Sequence, residues 1–347
     1  MHTLAPTALE QKSPNESVTR PQVAARTIAI YYEHPHWFRP LFAELERRQI
    51  SYLAINARDS FFFDPADPIR KFPLLFNRVS PSAHRREAGS VIFHTTGLLA
   101  HLERVGTRVI NGSRAFSFEI SKARQLSLLA QLGLPGPRSR VIHHSADAPD
   151  AARGLRFPII VKPNIGGSGA GIARYDSLGA LTDAANADTI DLGLDRVALV
   201  QELVPMRDGH ITRVETLGGK FLYAINVYPE LGSFDLCPAD ACQTRDGAAL
   251  ARSATSACPV DAPERGLRVE ALLPPNDVID ACEKIARAAG IDVGGIESMI
   301  DDRDGSRLYY DINALSNFVA DAPRVIGFDP HARLVDFLEG ELRKATQ

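Results

Sequence analysis

Apolar residues fall in short runs between polar, glycine-marked turns, and two periods alternate along the chain. Residues 27–32 (TIAIYY) form an apolar run rich in β-formers and predict a buried first strand. Residues 40–49 (PLFAELERRQ) set Leu41, Phe42 and Leu45 at helical spacing, and residues 51–55 (SYLAI) return to a strand pattern. Strand, helix and strand within about 30 residues make a βαβ unit. Further strands at 72–76 and 108–111, with a helix at 95–105, complete a small α/β domain with a parallel sheet over residues 27–111. Residues 114–132 read as one linker helix carrying Lys122, N-capped by Ser113 and stopped at Gly133 before Pro135. A strand from 138, a short helix, a strand at 157–161, a glycine loop, a further strand, a helix at 177–187 and a strand at 197–201 follow. With the linker helix they make an α+β unit over 112–202, and residues 203–347 form a third unit. That third unit holds strands at 210–217 and 220–228 turned at Gly218-Gly219, a helix at 276–289, strands at 291–300 and 307–313, and a last helix at 330–342. Residues 232–269 are polar and irregular and carry no assignable element, and residues 1–26 read as a disordered tail without a signal-peptide pattern.

Composition narrows the picture modestly. A chain of 347 residues is too long for one core of ordinary size, so two or three lobes are expected. Hydrophobic residues are 45% and charged residues 23%, with 39 basic against 42 acidic side chains and a net charge of −3. That balance carries no nucleic-acid or membrane footprint, and no apolar run reaches the ~20 residues that span a bilayer. Small molecules or a peptide are the expected partners, with a homo-oligomer left open. Cysteines at 237, 242, 258 and 282 form no C-x-x-C pair and read as reduced thiols of a cytoplasmic protein.

The densest chemical signal is FPIIVKPNIGGSGAGI, residues 157–172. A hydrophobic strand delivers Lys162, Pro163 ends it, and Gly166, Gly167, Ser168, Gly169 and Gly171 follow. Such glycines let backbone N–H groups converge, and beside an ammonium the nest suits phosphate oxygens. A P-loop fails because Ile172 and Ala173 stand where Lys and Ser/Thr are needed, and no G-x-G-x-x-G is present. A flexible loop without ligand is the bland alternative. The second signal is acidic. Asp311 and Asn313 are two apart on a strand, and Glu297 lies 14 residues earlier across a turn at 301–306, so all three can share one face. Two carboxylates and an amide oxygen suit Mg²⁺; chance surface acids are the alternative. The third is VALVQELV, where Gln201, Glu202 and Leu203 end an apolar strand of the kind that can pair with an adenine edge. Arg213 can reach phosphate from its strand, although a lone strand arginine is more often at the surface.

The ordered set Lys122, Lys162 before a glycine loop, Gln201-Glu202, Arg213 before Gly-Gly, then Glu297, Asp311 and Asn313 resembles the ATP-grasp superfamily of ligases, and within it the glutathione synthetase/RimK-type amino-acid ligases. LLFNRVSPS and VINGSRAFSFEISKARQLSLLAQLGLPGP resemble that group's N-terminal domain and first ATP-lysine segment. The resemblance spans about residues 27–342 and implies an ATP-grasp fold, α/β and α+β, with an N-terminal parallel-sheet domain. It implies that Lys122 and Lys162 contact the nucleotide phosphates, that Gly166, Gly167, Ser168, Gly169 and Gly171 close over them, and that Gln201, Glu202 and Leu203 line the adenine. Arg213, with Lys162, would be catalytic, stabilising the transferred phosphoryl group or the acyl phosphate. Glu297, Asp311 and Asn313 would hold magnesium, as two ions, with Mn²⁺ an alternative. Arg78, Ser316 and Asn317 are candidate substrate contacts, Arg78 being equally readable as a surface residue at a strand end. The implied reaction is an ATP-dependent joining of a carboxylate to an amine through an acyl phosphate; a kinase on the same fold and a non-catalytic nucleotide-binding protein are the rivals. The acids stand in reversed order (Glu, then Asp), ALSNF at 314–318 replaces the usual Pro-Gly run, and residues 233–242 lack the arginine often found there. These departures bear on the substrates more than on the nucleotide.

Overall fold

The computed structural model describes residues 27–34, 36–167, 169–229 and 268–347. Strands β1 (Ile28–Tyr32), β2 (Tyr52–Asn56), β3 (Leu74–Arg78) and β4 (Arg108–Ile110) form a parallel sheet in the order β2-β1-β3-β4. Ile28, Ile30, Leu74 and Phe76 face one core, while Ala29, Tyr31, Leu75 and Val109 face another. Burial on both faces is why these strands read as continuous apolar runs rather than alternating ones. Helices α1 (Arg39–Arg47) and α2 (Gly89–Arg104) connect them, α2 starting earlier than its apolar spacing suggests.

The expected single helix over 114–132 is two helices, α3 (Ser113–Glu119) and α4 (Lys122–Gln131). Ser113 is not the N-cap: α3 begins on it, Gly112 holds the cap position, and the Ser113 hydroxyl bonds Glu103. The break falls at Ile120-Ser121, where the Ser121 hydroxyl accepts from the Arg124 N–H and caps α4. Strand β5 (Ser139–Ile142), helix α5 (Ala148–Ala151), strands β6 (Ile159–Pro163) and β7 (Ala173–Tyr175), helix α6 (Leu178–Asn186) and strand β8 (Ala198–Glu202) make an antiparallel sheet in the order β5-β8-β6-β7, with α5 and α6 in its core.

The third sheet contains β9 (Ile211–Leu217), β10 (Lys220–Tyr228), β11 (Arg268–Leu272), β12 (Val293–Ile300) and β13 (Arg307–Asn313), ordered β11-β10-β9-β12-β13 and antiparallel throughout. Gly218 and Gly219 turn β9 into β10 with φ of +60° and +70°, values that favour glycine. Arg268 and Val269 open β11, where irregular chain was expected; the rest of the 232–269 segment, the 1–26 tail and Cys237, Cys242 and Cys258 lie outside the described residues. Helix α7 (Asn276–Ala289) buries Val278, Ala281, Cys282 and Ile285 against α4 and the sheet. Helices α8 (Ala322–Ile326) and α9 (Pro330–Ala345) follow, and Leu334, Val335 and Leu338 of α9 join the parallel and antiparallel sheets into one core. No described helix is long and apolar enough to cross a membrane.

Candidate active site

A cleft of about 390 Å³ lies where the three sheets meet, and both lysines, the glycine loop and all three candidate metal ligands line it. Arg213 on β9, Glu297 on β12 and Asp311 on β13 are successive cross-strand partners, so the three side chains project from one face in a row. The β12–β13 register shifts just after Glu297, the local bend that bulges bring to re-aim side chains. Arg213 is buried rather than a surface residue. Its Nη1 donates to Glu297 Oε1 at 2.6 Å, its Nε to Glu215 Oε1 at 2.6 Å and its Nη2 to Ser316 Oγ at 3.3 Å. Gly295 makes room for it: a Cβ there would stand 2.7 Å from the Arg213 Nη2. Glu297 also accepts from the Tyr310 hydroxyl at 2.8 Å.

Lys122 is the first residue of α4, and its ammonium lies 3.4 Å from Asp311 Oδ1. Lys162 comes from β6, whose five residues are all buried, and is itself only 5% exposed. Burial first, and the neighbouring Lys122 second, press its pKa down to about 8. Burial opposes the Lys122 charge too, yet Asp311 and Glu119 outweigh it and hold that pKa above the usual lysine value. Burial raises Glu297, with Asp311 adding and Arg213 opposing, whereas at Asp311 the pull of Lys122 and Lys162 exceeds the burial effect and keeps the carboxyl low. The acids thus sit in a floor of alternating sign.

Gly166, Gly167 and Gly169 line the cleft; Gly171 turns behind them at φ +74°, and Ser168 is outside the described residues. The loop rests on the turn Pro81–Arg86 that follows β3. A Cβ on Gly167 would come 2.8 Å from Ser82 Cβ, and Arg85 Nη1 donates to the Gly167 carbonyl at 3.4 Å. Gln201, Glu202 and Leu203 line the opposite wall. The exposed main-chain edge expected there is partly used: the Glu202 N–H bonds Arg138 O and the Leu203 N–H bonds Pro158 O, both at 3.0 Å. The Glu202 carboxylate pairs with Arg138 and Arg303. Among the described residues, the next N–H, that of Val204, donates to none, and Val204 lines the cleft.

Arg78 is 3% exposed, not at the surface. It lies between Phe38 and Phe76, each ring centroid 5.0 Å away, and its Nη2 donates to Ser316 O and, at 3.0 Å, to Asn317 Oδ1. Its Nε and Nη1 bond none of the described residues, and burial pulls its pKa down to about 9. Ser316 is buried between Arg78 and Arg213, and Asn317 lines the cleft.

The donor set fits Mg²⁺: two carboxylates on adjacent strands plus the Asn313 amide supply hard oxygens on one side of an otherwise open cleft, leaving positions for phosphate and water. Among the described residues no three His, Cys, Asp or Glu side chains group as a metal site.

Several residues of the site carry no local sequence signal. Glu119 lines the cleft, and burial lifts its carboxyl to about 7. Asn164 Oδ1 accepts from Ser121 Oγ at 3.1 Å and from the Ala123 N–H at 2.9 Å, tying the end of β6 to the start of α4. Trp37 reaches the cleft from the chain after β1. Only Gly295 had a readable mark: paired glycines inside a strand signal close approach of another group.

This three-sheet arrangement around a phosphate-suited cleft is the ATP-grasp fold. The fold is similar to that of the ATP-grasp ligase PsnB complexed with a minimal precursor (TM-score 0.61, 18% identity, 91% of this chain and 98% of that one). It is also similar to a RimK domain protein of the ATP-grasp type from Sphaerobacter thermophilus DSM 20745 (TM-score 0.60, 17% identity, 90% and 99%). Within the fold, the resemblance to RimK-type ligases stands: over 150 residues the chain is 29% identical to a probable alpha-L-glutamate ligase of Vibrio vulnificus strain YJ016, covering 43% of this chain and 49% of that protein. The chain thus spans about half the length of the curated relatives it matches first. No family model matches it.

Proposed function

We propose that this protein is an ATP-dependent, magnesium-requiring carboxylate–amine ligase that works through an acyl phosphate and releases ADP and phosphate. The observation that carries this reading is the meeting, in one cleft, of the buried Lys162 ammonium and a glycine loop with Arg213, Glu297, Asp311 and Asn313, Lys122 lying 3.4 Å from Asp311. Bound magnesium would supply charge neutralisation on the phosphate oxygens. Glu297, Asp311 and Asn313 would hold it. Lys122 and Lys162 hold the polyphosphate, the apolar wall at Leu203 and Val204 takes the adenine, and the Val204 N–H, which bonds none of the described residues, turns to the base edge. Arg213, fixed by Glu215, faces the position where charge develops as the carboxylate attacks the γ-phosphorus in line. No protein nucleophile is needed, and the glycine loop excludes water from the mixed anhydride.

The second-substrate side is the N-terminal sheet. Strand order β2-β1-β3-β4 puts a topological switch point between β1 and β3, and Arg78 stands at the carboxyl end of β3 opposite Tyr32 of β1. Among the described residues Arg78 makes no ion pair, and Glu119 and Glu215 offset its burial only in part; a substrate carboxylate is a charge that would offset the rest. Arg78, Ser316 and Asn317 are therefore assigned to substrate binding, which favours an amino acid or peptide. PsnB was captured with a peptide precursor, and the sequence relatives are named for glutamate ligation. An ADP-release assay over paired amino acids and short peptides, with mass spectrometry of the product, tests the reaction. ADP release that needs both a carboxylate and an amine is expected; release that needs only a hydroxyl compound would make it a kinase.

A further inference from the structure

Among the described residues strand β13 is the last strand of its sheet, and no neighbouring strand takes the N–H and C=O groups of its outer edge. Side chains from α3 and α4 take that place. Gln125, 1% exposed, sets its amide flat against the peptide of Ile312, the residue between Asp311 and Asn313. Its Nε2 donates to Ile312 O at 2.9 Å and its Oε1 accepts from the Ile312 N–H at 3.1 Å, while the second Nε2 hydrogen goes to Phe118 O at 2.9 Å. Glu119 continues the line: Oε2 accepts from the N–H groups of Ala314 and Leu315. Both helices are short and far in sequence from the chain they hold, 187 residues for Gln125 and Ile312 and 195 for Glu119 and Ala314. Both amide hydrogens of this buried glutamine are spent on main chain, and it does not line the cleft, so its contribution is geometric.

We propose that Glu119 and Gln125 are positioning residues that act as a side-chain substitute for a missing edge strand, locking the Asp311 and Asn313 oxygens in register with Lys122 on the same helical unit. The inference rests on the reading of Asp311 and Asn313 as metal ligands. It gives Glu119 a role that depends on its acceptor oxygen and not on its charge. Glu119→Gln keeps an oxygen able to accept two N–H bonds, whereas Glu119→Ala removes it. Gln125→Ala removes the whole clamp, and Gln125→Glu, which keeps the acceptor and loses both donors, serves if the alanine variant does not fold.

The test uses the full chain and Mn²⁺ with ADP as probe, read by electron paramagnetic resonance, beside main-chain hydrogen exchange followed by NMR. Partners of metal ligands commonly govern affinity by about tenfold or more. Gln125→Ala and Glu119→Ala should therefore weaken Mn²⁺ binding to that extent and speed exchange at Ile312, and at Ala314 and Leu315, respectively. Glu119→Gln should return both readouts to within about twofold of the wild type. Faster exchange with unaltered Mn²⁺ affinity would overturn the proposal, as would a Glu119→Gln variant as impaired as Glu119→Ala. A wild-type chain that binds no Mn²⁺ would instead remove the metal reading, and this inference with it.

Discussion

Lys162 carries its charge into a buried strand, and that single placement sets two expectations. Its ammonium is a phosphate ligand only while protonated, and burial with Lys122 nearby holds its pKa to about 8. Affinity of the free protein for ADP should therefore weaken as pH rises through about 8, and Lys162→Arg should flatten that dependence in calorimetric titrations. The stability sign is opposite: a folded pKa below the unfolded value of 10.5 means burial of the charge costs stability at low pH, a cost relieved between about 8 and 10.5. Lys162→Ala should lower ATP turnover by about two to three orders of magnitude, as loss of a preorganised charge does; near-normal steady-state rates would refute the assignment. Gly295→Ala sets a methyl against the Arg213 guanidinium, 2.7 Å from Nη2. Turnover should fall at least about tenfold while the melting transition stays cooperative. Lys162, Glu297, Asp311 and Asn313 were legible because each sits on a strand whose period fixes where it points. Gln125 and Glu119 were not, since an amide on a helix acquires its meaning only from a strand far away in sequence.

At the level of elements, the β12–β13 hairpin was readable from its turn and its alternating pattern, and the pairing of Glu297 with Asp311 puts both on one face as the spacing requires. The helix break at Ile120-Ser121 was hidden, because Ser121 is an acceptable helix residue as well as a good cap. The break matters: it turns Lys122 into a first-turn residue aimed at the cleft. The glycine loop was legible by composition, but its seat on Ser82 was not, as that contact joins segments far apart in the chain. Gly167→Ala should push the loop off the Pro81–Arg86 turn, since its Cβ would stand 2.8 Å from Ser82 Cβ. Weaker ATP binding with an unchanged melting temperature is the expected result; unchanged binding would show that the seat is incidental.

For the molecule as a whole, three sheets border one cleft, so a ligand bound there would touch all three. Saturating ADP with magnesium should raise the melting temperature, by about 2.7 kcal/mol of added stability at a hundredfold excess over the dissociation constant. Chelation should remove the metal-dependent share, and a shift insensitive to chelator would count against the acids as ligands. The order of elements disclosed this architecture from the sequence because each sheet is built from consecutive strands. The substrates were not disclosed, since the groups proposed to bind them, Arg78 at the end of β3 and Ser316 and Asn317 after β13, meet only in space.

The first turn of α4 is fastened on both sides, to the end of β6 through Asn164 and to β13 through Gln125. It is thus an axle between the sheet that bears the glycine loop and the sheet that bears the acids. A charge placed on an axle barely moves when the parts around it turn. Lys122 lies on that axle, 3.4 Å from Asp311, so loosening either fastening would carry it away from the acids.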